Sequence, residues 1–186
     1  RYSLAGTHSL WMQSEAKNGR DPTPHYKIAR DLFLDILTDY PDHTLTKTRL
    51  GALVASRAFD LQNRKPFSPS EVRKLFDEAL EHLTQSCRLQ ANRSTPWSAR
   101  AVAHYRYALF LFSLRQNGFS LLNKALHDAN RAVHLSPIPQ HRLERATIIH
   151  SIAQFRLKLS SRTYSSVTQG IQDLDIILRS YPHSKQ

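Results

Sequence analysis

The segment ALHDANRAVHLSP at residues 125–137 has two counterparts, ARDLFLDILTDYP at residues 29–41 and GIQDLDIILRSYP at residues 170–182. Each segment opens with a small residue, carries an apolar or small pair seven positions later, and closes with a proline. Small residues at fixed helix positions allow a neighbouring helix to approach closely, and the proline ends the helix because it lacks an amide hydrogen and clashes with the preceding turn. The three segments therefore predict a repeated helix that packs against its neighbours and then turns into the next helix.

Apolar residues recur at helical spacing in almost every part of the chain. The clearest pattern runs from Val72 to Cys87, where steps of three and four place the apolar side chains on one face. Ahead of this pattern, Ser68 can cap a helix, and the pairs Thr23-Pro24 and Thr95-Pro96 predict two further helix starts of the same kind. Such starts and stops predict about eight helices, at residues 4–18, 24–40, 44–61, 69–90, 96–116, 119–135, 140–160 and 166–181.

The arrangement of these helices follows from how their apolar faces are buried. No stretch alternates apolar and polar residues for long enough to require a strand, so the predicted fold class is all-α. One amphipathic helix pair cannot bury its apolar face alone, whereas antiparallel pairs stacked as an α-solenoid can, and they leave a groove. The connections are short and mark no domain boundary, so one domain over residues 1–186 is expected. Because the chain starts at Arg1, this domain is expected to be part of a larger protein.

The repeated segment resembles the tetratricopeptide repeat (TPR) family. The second helix of that family commonly carries a small residue, then an alanine, then a proline at its end, as Ala125, Ala132 and Pro137 do. Leu50 and Gly51 fall where its first helix usually has a leucine and a small residue. The family repeat is about 34 residues long, whereas the prolines that close the first two segments stand 96 positions apart, about two units of 48. The units are therefore elongated, and armadillo-like or HEAT-like arrays and a non-repeat helical bundle remain alternatives.

The resemblance implies a scaffold that binds a protein or peptide partner in a groove lined by the first helix of each pair, with no catalytic activity and no cofactor. The positions expected to contact the partner are Thr48, Ala52, Ser56, Tyr105, Leu109 and Phe112. Many TPR domains hold the C-terminal carboxylate of chaperones with a lysine and an asparagine. Thr48 and Ala52 stand at the corresponding positions here, so this carboxylate clamp is not expected. Predicted helix 96–116 is hydrophobic nearly all round, so most of its apolar side chains are expected to pack in the core.

The chain carries a formal charge of +11, which attracts polyanions. Four basic residues, Arg142, Arg145, Arg156 and Lys158, concentrate on predicted helix 140–160 and form a candidate basic surface. Phosphate contacts require only such side chains on one face, so RNA or another nucleic acid is the alternative partner. No recognition motif accompanies these residues, and basic residues spread over several helices also suit an acidic protein partner.

The sequence lacks the motifs of common catalytic and metal sites. His127 and His134 stand seven positions apart, about 10 Å along a helix, which is too far for one metal ion, so no metal site is expected. The single cysteine, Cys87, continues an apolar stripe and is expected to be a buried thiol. One cysteine, no apolar run of about 18 residues and no signal-peptide pattern together predict an intracellular protein, in the cytoplasm or nucleus. The oligomeric state is not indicated by the sequence.

Overall fold

The computed structural model describes residues 1–64, 66–157 and 172, and within these ranges the chain forms seven long α-helices and no strand. They are α1 (Tyr2–Lys17), α2 (Thr23–Asp39), α3 (Thr44–Gln62), α4 (Pro69–Leu89), α5 (Ser94–Ser113), α6 (Phe119–Leu135) and α7 (Pro139–Leu157). The prediction of an all-α fold is confirmed, and α1 to α6 begin and end within three residues of their predicted bounds. The predicted eighth helix, at residues 166–181, lies outside the described residues.

Contacts divide the chain into two compact units, Arg1–Ala91 and Asn92–Gln186. The first unit contains α1 to α4, and the second contains α5 to α7. Each unit has large side chains buried in a core of its own, such as Phe76 in the first and Phe110 in the second. The expectation of a single domain over residues 1–186 stays a prediction.

In the first unit, α1 and α2 form an antiparallel pair. The ring of Tyr2, at the start of α1, lies 6.0 Å from the ring of Phe33, in the second half of α2. Further along α1, His8 lies beside His25, which is at the start of α2. Residues early in α1 contact residues late in α2, and later residues of α1 contact the start of α2. The two helices therefore run antiparallel.

The helices α3 and α4 form the second pair, and they approach each other closely at Gly51. A β carbon at Gly51 would lie 2.6 Å from Cγ of Leu83 and 2.9 Å from the carbonyl oxygen of Ala79. Only glycine allows such an approach, because any side chain would overlap these atoms. Gly51 therefore has the packing role that the sequence predicts for a small residue in a first helix.

In the second unit, α6 packs against both α5 and α7, and α5 and α7 run side by side in the same direction. The hydroxyl of Ser98, early in α5, donates to Glu144, early in α7, at 2.6 Å. Near the ends of the two helices, Phe112 stacks on Phe155 with ring centroids 4.0 Å apart. Because α7 begins 45 positions after α5, this unit shows the elongated repeat that the sequence predicts.

Two of the repeated segments have the same local structure. The helices α2 and α6 are both 17 residues long, and each ends two residues before its proline. Tyr40 and Ser136, the residues that precede those prolines, have φ of −134° and −156°, as expected for a residue before proline. Ala29 and Ala125, which open the two segments, are fully buried. The third segment, at residues 170–182, lies almost entirely outside the described residues.

The three predicted helix caps have different outcomes. The hydroxyl of Ser68 accepts a hydrogen bond from the third residue of α4 at 3.4 Å, which confirms the first. Thr23 is not a cap but the first residue of α2, and its amide and hydroxyl both donate to Asp21, at 3.0 and 2.6 Å. The residue directly before α2 is Pro22, so no side chain caps this helix, and the predicted Thr23 cap is wrong. Thr95 also lies inside its helix, since α5 begins at Ser94.

Candidate functional site

A cleft of about 250 Å³ lies between α1 and α3 in the first unit. Phe33 and Leu53 form its floor and are only 1% and 2% exposed, whereas Leu10 stands at its edge and is 67% exposed. The other lining residues are Tyr2, Ser3, Gly6, Ser9 and Gln13 from α1, and Arg49 and Ala52 from α3. The cleft is therefore bounded by the neighbouring faces of two first helices.

The cleft is open because two small residues line it. A β carbon placed on Gly6 would meet no atom within 4 Å, so space is left above this turn of α1. On α3, the half-buried Ala52 contributes a single methyl group. A side chain at Gly6 would therefore begin in space that is now free.

The lining side chains define what the cleft can bind. Among the described residues that line it there is no cysteine, histidine, aspartate, glutamate or lysine. Arg49 is exposed, and no ion pair joins it to any other residue within residues 1–64 and 66–157. The cleft thus offers an apolar floor, neutral hydrogen-bonding groups from Ser9 and Gln13, and one guanidinium group whose charge is not neutralised within the described chain.

The three predicted partner-binding residues of α3 have different environments. Ala52 lines the cleft. Ser56 is half-buried one turn further along the same side of α3. Thr48 is 4% exposed, and its hydroxyl bonds to the carbonyl of Thr44 and to the hydroxyl of Ser86 in α4. Thr48 therefore packs within the α3–α4 pair, and we leave it out of the proposed binding surface.

The three predicted residues of α5 are half-buried, and two of them contact α7. The hydroxyl of Tyr105 lies 3.0 Å from that of Ser151. Phe112 stacks on Phe155, and both Tyr105 and Phe112 pack against the buried cluster of the second unit. Their observed contacts hold two first helices side by side, as expected for the apolar side chains of this helix, while a contact with a partner at Leu109 stays a prediction.

Comparisons with known proteins identify the fold but not a family. A scan against family models finds no match, and a search of curated proteins finds none either. The solved structure described as "MamA RS-1 ArsTM double mutant" is similar to this chain, with a TM-score of 0.52 and 15% sequence identity, over 97% of this chain and 78% of that chain. MamA is a TPR-like protein. The chain has a TPR-like helical-repeat fold.

Within this TPR-like fold, the predicted basic residues form contacts close to their own helix. The side chain of Arg142 donates to the carbonyl of Pro137 at 3.2 Å, and that of Arg145 donates to Asn130 of α6 at 3.4 Å. Both arginines are half-buried, as is Arg156. Lys158 lies outside the described residues, so a continuous basic surface stays a prediction.

A buried polar cluster joins α5 to α6. Arg100 donates to both carboxylate oxygens of Asp128 at 2.8 Å, and Asp128 is 2% exposed. His104 lies 3.8 Å from the same carboxylate, and its Nδ1 has no hydrogen-bond partner in the described part of the chain. Burial lowers the pKa of His104 to about 4 although the Asp128 carboxylate acts in the opposite direction. His104 is therefore neutral near pH 7, and the cluster contributes to helix packing.

Of the ten described residues that line the cleft, the sequence predicts only Ala52 as a partner contact, and Gly6, Leu10 and Arg49 are among the nine that it does not predict. Gly6 interrupts a helical pattern, and such a glycine indicates either a close approach of another chain segment or an opening. That signal was present, but it does not say which alternative holds. Leu10 and Arg49 carry no signal of their own, because their importance depends on α1 lying beside α3.

Two further classes of feature are absent from the described chain. No helix within residues 1–64 and 66–157 is both long enough and apolar enough to cross a membrane. In the same ranges, no three histidine, cysteine, aspartate or glutamate side chains come together as metal ligands.

Cys87 is 2% exposed and forms no disulfide, which confirms the predicted buried thiol.

Proposed function

We propose that this chain is a protein-interaction scaffold that binds a peptide segment of another protein in the cleft between α1 and α3. The observation that carries the proposal is the cleft itself, in which an apolar floor lies beside Arg49, a side chain with no ion pair inside residues 1–64 and 66–157. Helical-repeat folds present the neighbouring faces of their first helices as binding surfaces. The TPR-like fold supports this assignment at the level of architecture.

The dimensions of the cleft favour a peptide side chain over a whole small molecule. Small-molecule pockets commonly enclose about 300–1,000 Å³, whereas this cleft has about 250 Å³ and is open to one side. Phe33 and Leu53 would contact an apolar side chain, and Leu10 would cover part of it. The remainder of the peptide would then lie across α1 and α3, within reach of Ser9 and Gln13.

The charges favour an acidic partner. The guanidinium group of Arg49 can bind a carboxylate in two parallel hydrogen bonds, and the formal charge of +11 draws acidic chains toward the protein. We therefore propose a partner segment in which an apolar side chain is followed or preceded closely by aspartate or glutamate.

RNA binding remains the alternative function. The charge of the chain and the placement of Arg142, Arg145 and Arg156 along α7 favour it. However, Arg142 and Arg145 already donate to groups of the protein. Binding of a mixed RNA pool with a steep dependence on salt concentration would support this alternative instead.

The cleft can be tested by selecting binders from a random peptide library with the purified protein. We expect the selected peptides to share an apolar residue next to an acidic residue. Gly6→Leu should weaken their binding about tenfold or more, because the new side chain starts at a β carbon with free space around it and extends into the cleft that Gly6 lines. Arg49→Glu should also weaken binding, since it places a negative charge beside the peptide carboxylate.

Matched variants control for effects on folding and on total charge. Thr7→Leu adds an apolar side chain at an exposed position of α1 that does not line the cleft. Lys27→Glu replaces a positive charge with a negative one, as Arg49→Glu does, at an exposed position of α2 outside the cleft. Both controls should bind like the original protein. If the selected peptides bind Gly6→Leu and Arg49→Glu at full strength, or if no peptide is enriched, the proposed function is wrong.

A further inference from the structure

A pair of histidines joins α1 to α2 outside the cleft. Nδ1 of His8 and Nδ1 of His25 share a hydrogen bond of 3.0 Å, in which the tautomers decide the donor, and the ring centroids are 5.2 Å apart. Both side chains are half-buried, so solvent reaches one side of the pair. The indole of Trp11 lies against both imidazoles, with centroids 5.1 and 5.3 Å away. None of these three residues lines the cleft.

The same separation suits a shared metal ion once both rings carry their proton on Nε2, because each Nδ1 then offers a lone pair in place of the hydrogen bond. Imidazole nitrogens bind transition metals at about 2.0–2.1 Å. Two of them at a right angle on one ion are therefore about 2.9 Å apart, and tetrahedral geometry places them about 3.4 Å apart. The observed 3.0 Å is closer to the right-angle arrangement, which square-planar Cu(II) and Ni(II) adopt.

We propose that His8 and His25 form a two-histidine site for Cu(II) or Ni(II), with solvent completing the coordination. The described chain brings no third histidine, cysteine or carboxylate to form a group with them, which distinguishes this site from a four-ligand structural zinc site. Cu(II) binds most tightly among the common divalent ions, and Ni(II) follows it. Histidine spacing within a single helix does not reveal the site, because its ligands lie on two different helices.

The packing of α1 against α2 positions both histidines before a metal ion binds. Ala5 and Met12 are buried on α1 on either side of His8, and Ala29 is buried one turn after His25 on α2. Because the two helices are packed, the second imidazole binds without a further ordering step. An ion that bridges them binds the folded protein and not the separated helices, so it should stabilise the α1–α2 pair.

The fluorescence of Trp11 can report metal binding at the histidine pair. Bound Cu(II) quenches a tryptophan that lies beside its ligands, and Trp97→Phe removes the other tryptophan of the chain. Titration of this protein with CuCl₂ near neutral pH should quench Trp11 in a saturable manner, with one ion per chain. His8→Gln and His25→Gln should each weaken binding about tenfold or more, because each leaves a single ligand. His150→Gln changes an exposed residue of α7 and should bind Cu(II) as tightly as the protein with His150.

A second measurement needs no substitution at the site. Diethyl pyrocarbonate modifies accessible histidines, and mass spectrometry of the digested protein assigns each modification. NiCl₂ should protect His8 and His25, while the exposed His134 and His150 remain reactive. The proposal is overturned if quenching is absent, if it survives either glutamine substitution, or if protection falls on other histidines. The peptide-binding proposal is unaffected by any of these results, because the two sites share no residue.

Discussion

Two glycines of the first unit have opposite surroundings. A β carbon on Gly51 would overlap Leu83 and the backbone of Ala79, whereas one on Gly6 would meet nothing within 4 Å. Both residues lie inside helices, where alanine is intrinsically favoured over glycine by about 1 kcal/mol. Substitution by alanine should therefore destabilise the protein at Gly51, where packing overlap dominates, and stabilise it at Gly6, where only helix propensity acts.

We expect Gly51→Ala to lower the free energy of unfolding by about 1–3 kcal/mol, because α3 and α4 must move apart to admit the methyl group. Gly6→Ala, its matched control, should raise that free energy by about 0.5–1 kcal/mol. Urea denaturation followed by circular dichroism measures both. Equal stability of the two variants would show that α3 and α4 are not in close contact at this position.

His104 makes stability depend on pH. Burial lowers the pKa of His104 from its ordinary value of 6.5 to about 4. Between these pH values the unfolded chain binds a proton at His104 and the folded chain does not, so acidification favours unfolding. The stabilising contribution is complete above pH 6.5 and is lost as pH falls toward 4.

We therefore expect His104→Gln to reduce the loss of stability between pH 7 and pH 4.5 by about 2 kcal/mol. Urea midpoints at the two pH values provide the test. The variant should keep some pH dependence, because burial also lowers the pKa of His82. His134→Gln, on the exposed side of α6, should behave like the unmodified protein. An unchanged pH dependence in His104→Gln would contradict the buried, neutral state of this histidine.

At the scale of elements, the sequence predicts a helix best where only one of its faces is buried. On α4 the buried residues Val72, Phe76, Ala79 and Leu83 follow the predicted apolar stripe. On α6 the small residues Ala125 and Ala132 are buried as the repeat requires. In both cases the period of the apolar residues is enough to orient the helix.

The orientation of the first helices is harder to predict. The helix α5 carries apolar residues nearly all round, among them Tyr105, Phe110 and Phe112, so they mark no single face. On α1, Leu10 and Trp11 are exposed although Ala5 and Met12 are buried. Neither pattern reveals which first helices become neighbours. The cleft depends on that information, whereas the histidine pair depends on how α1 lies against α2. The sequence therefore predicts Ala52 of the cleft but not Gly6, Leu10 or Arg49.

At the scale of the whole molecule, the division into Arg1–Ala91 and Asn92–Gln186 raises the question of how many cooperative units the chain contains. The first unit holds two complete helix pairs and buries large side chains such as Phe33, Leu50 and Phe76. Domains of about 60 residues can already fold alone, so a unit of this length with its own core should not need the remainder of the chain.

We expect a fragment of residues 1–91 to be helical and to unfold cooperatively in urea, as measured by circular dichroism. Gly51→Ala within the fragment should lower its midpoint, because the α3–α4 contact lies wholly inside this unit. This internal control separates native packing from nonspecific helix formation, which the substitution would not weaken. A fragment without a cooperative transition, together with a single transition in residues 1–186, would instead support the one-domain prediction. In that case stability would arise from stacking along the entire repeat array, as in helical-repeat proteins whose units are unstable alone.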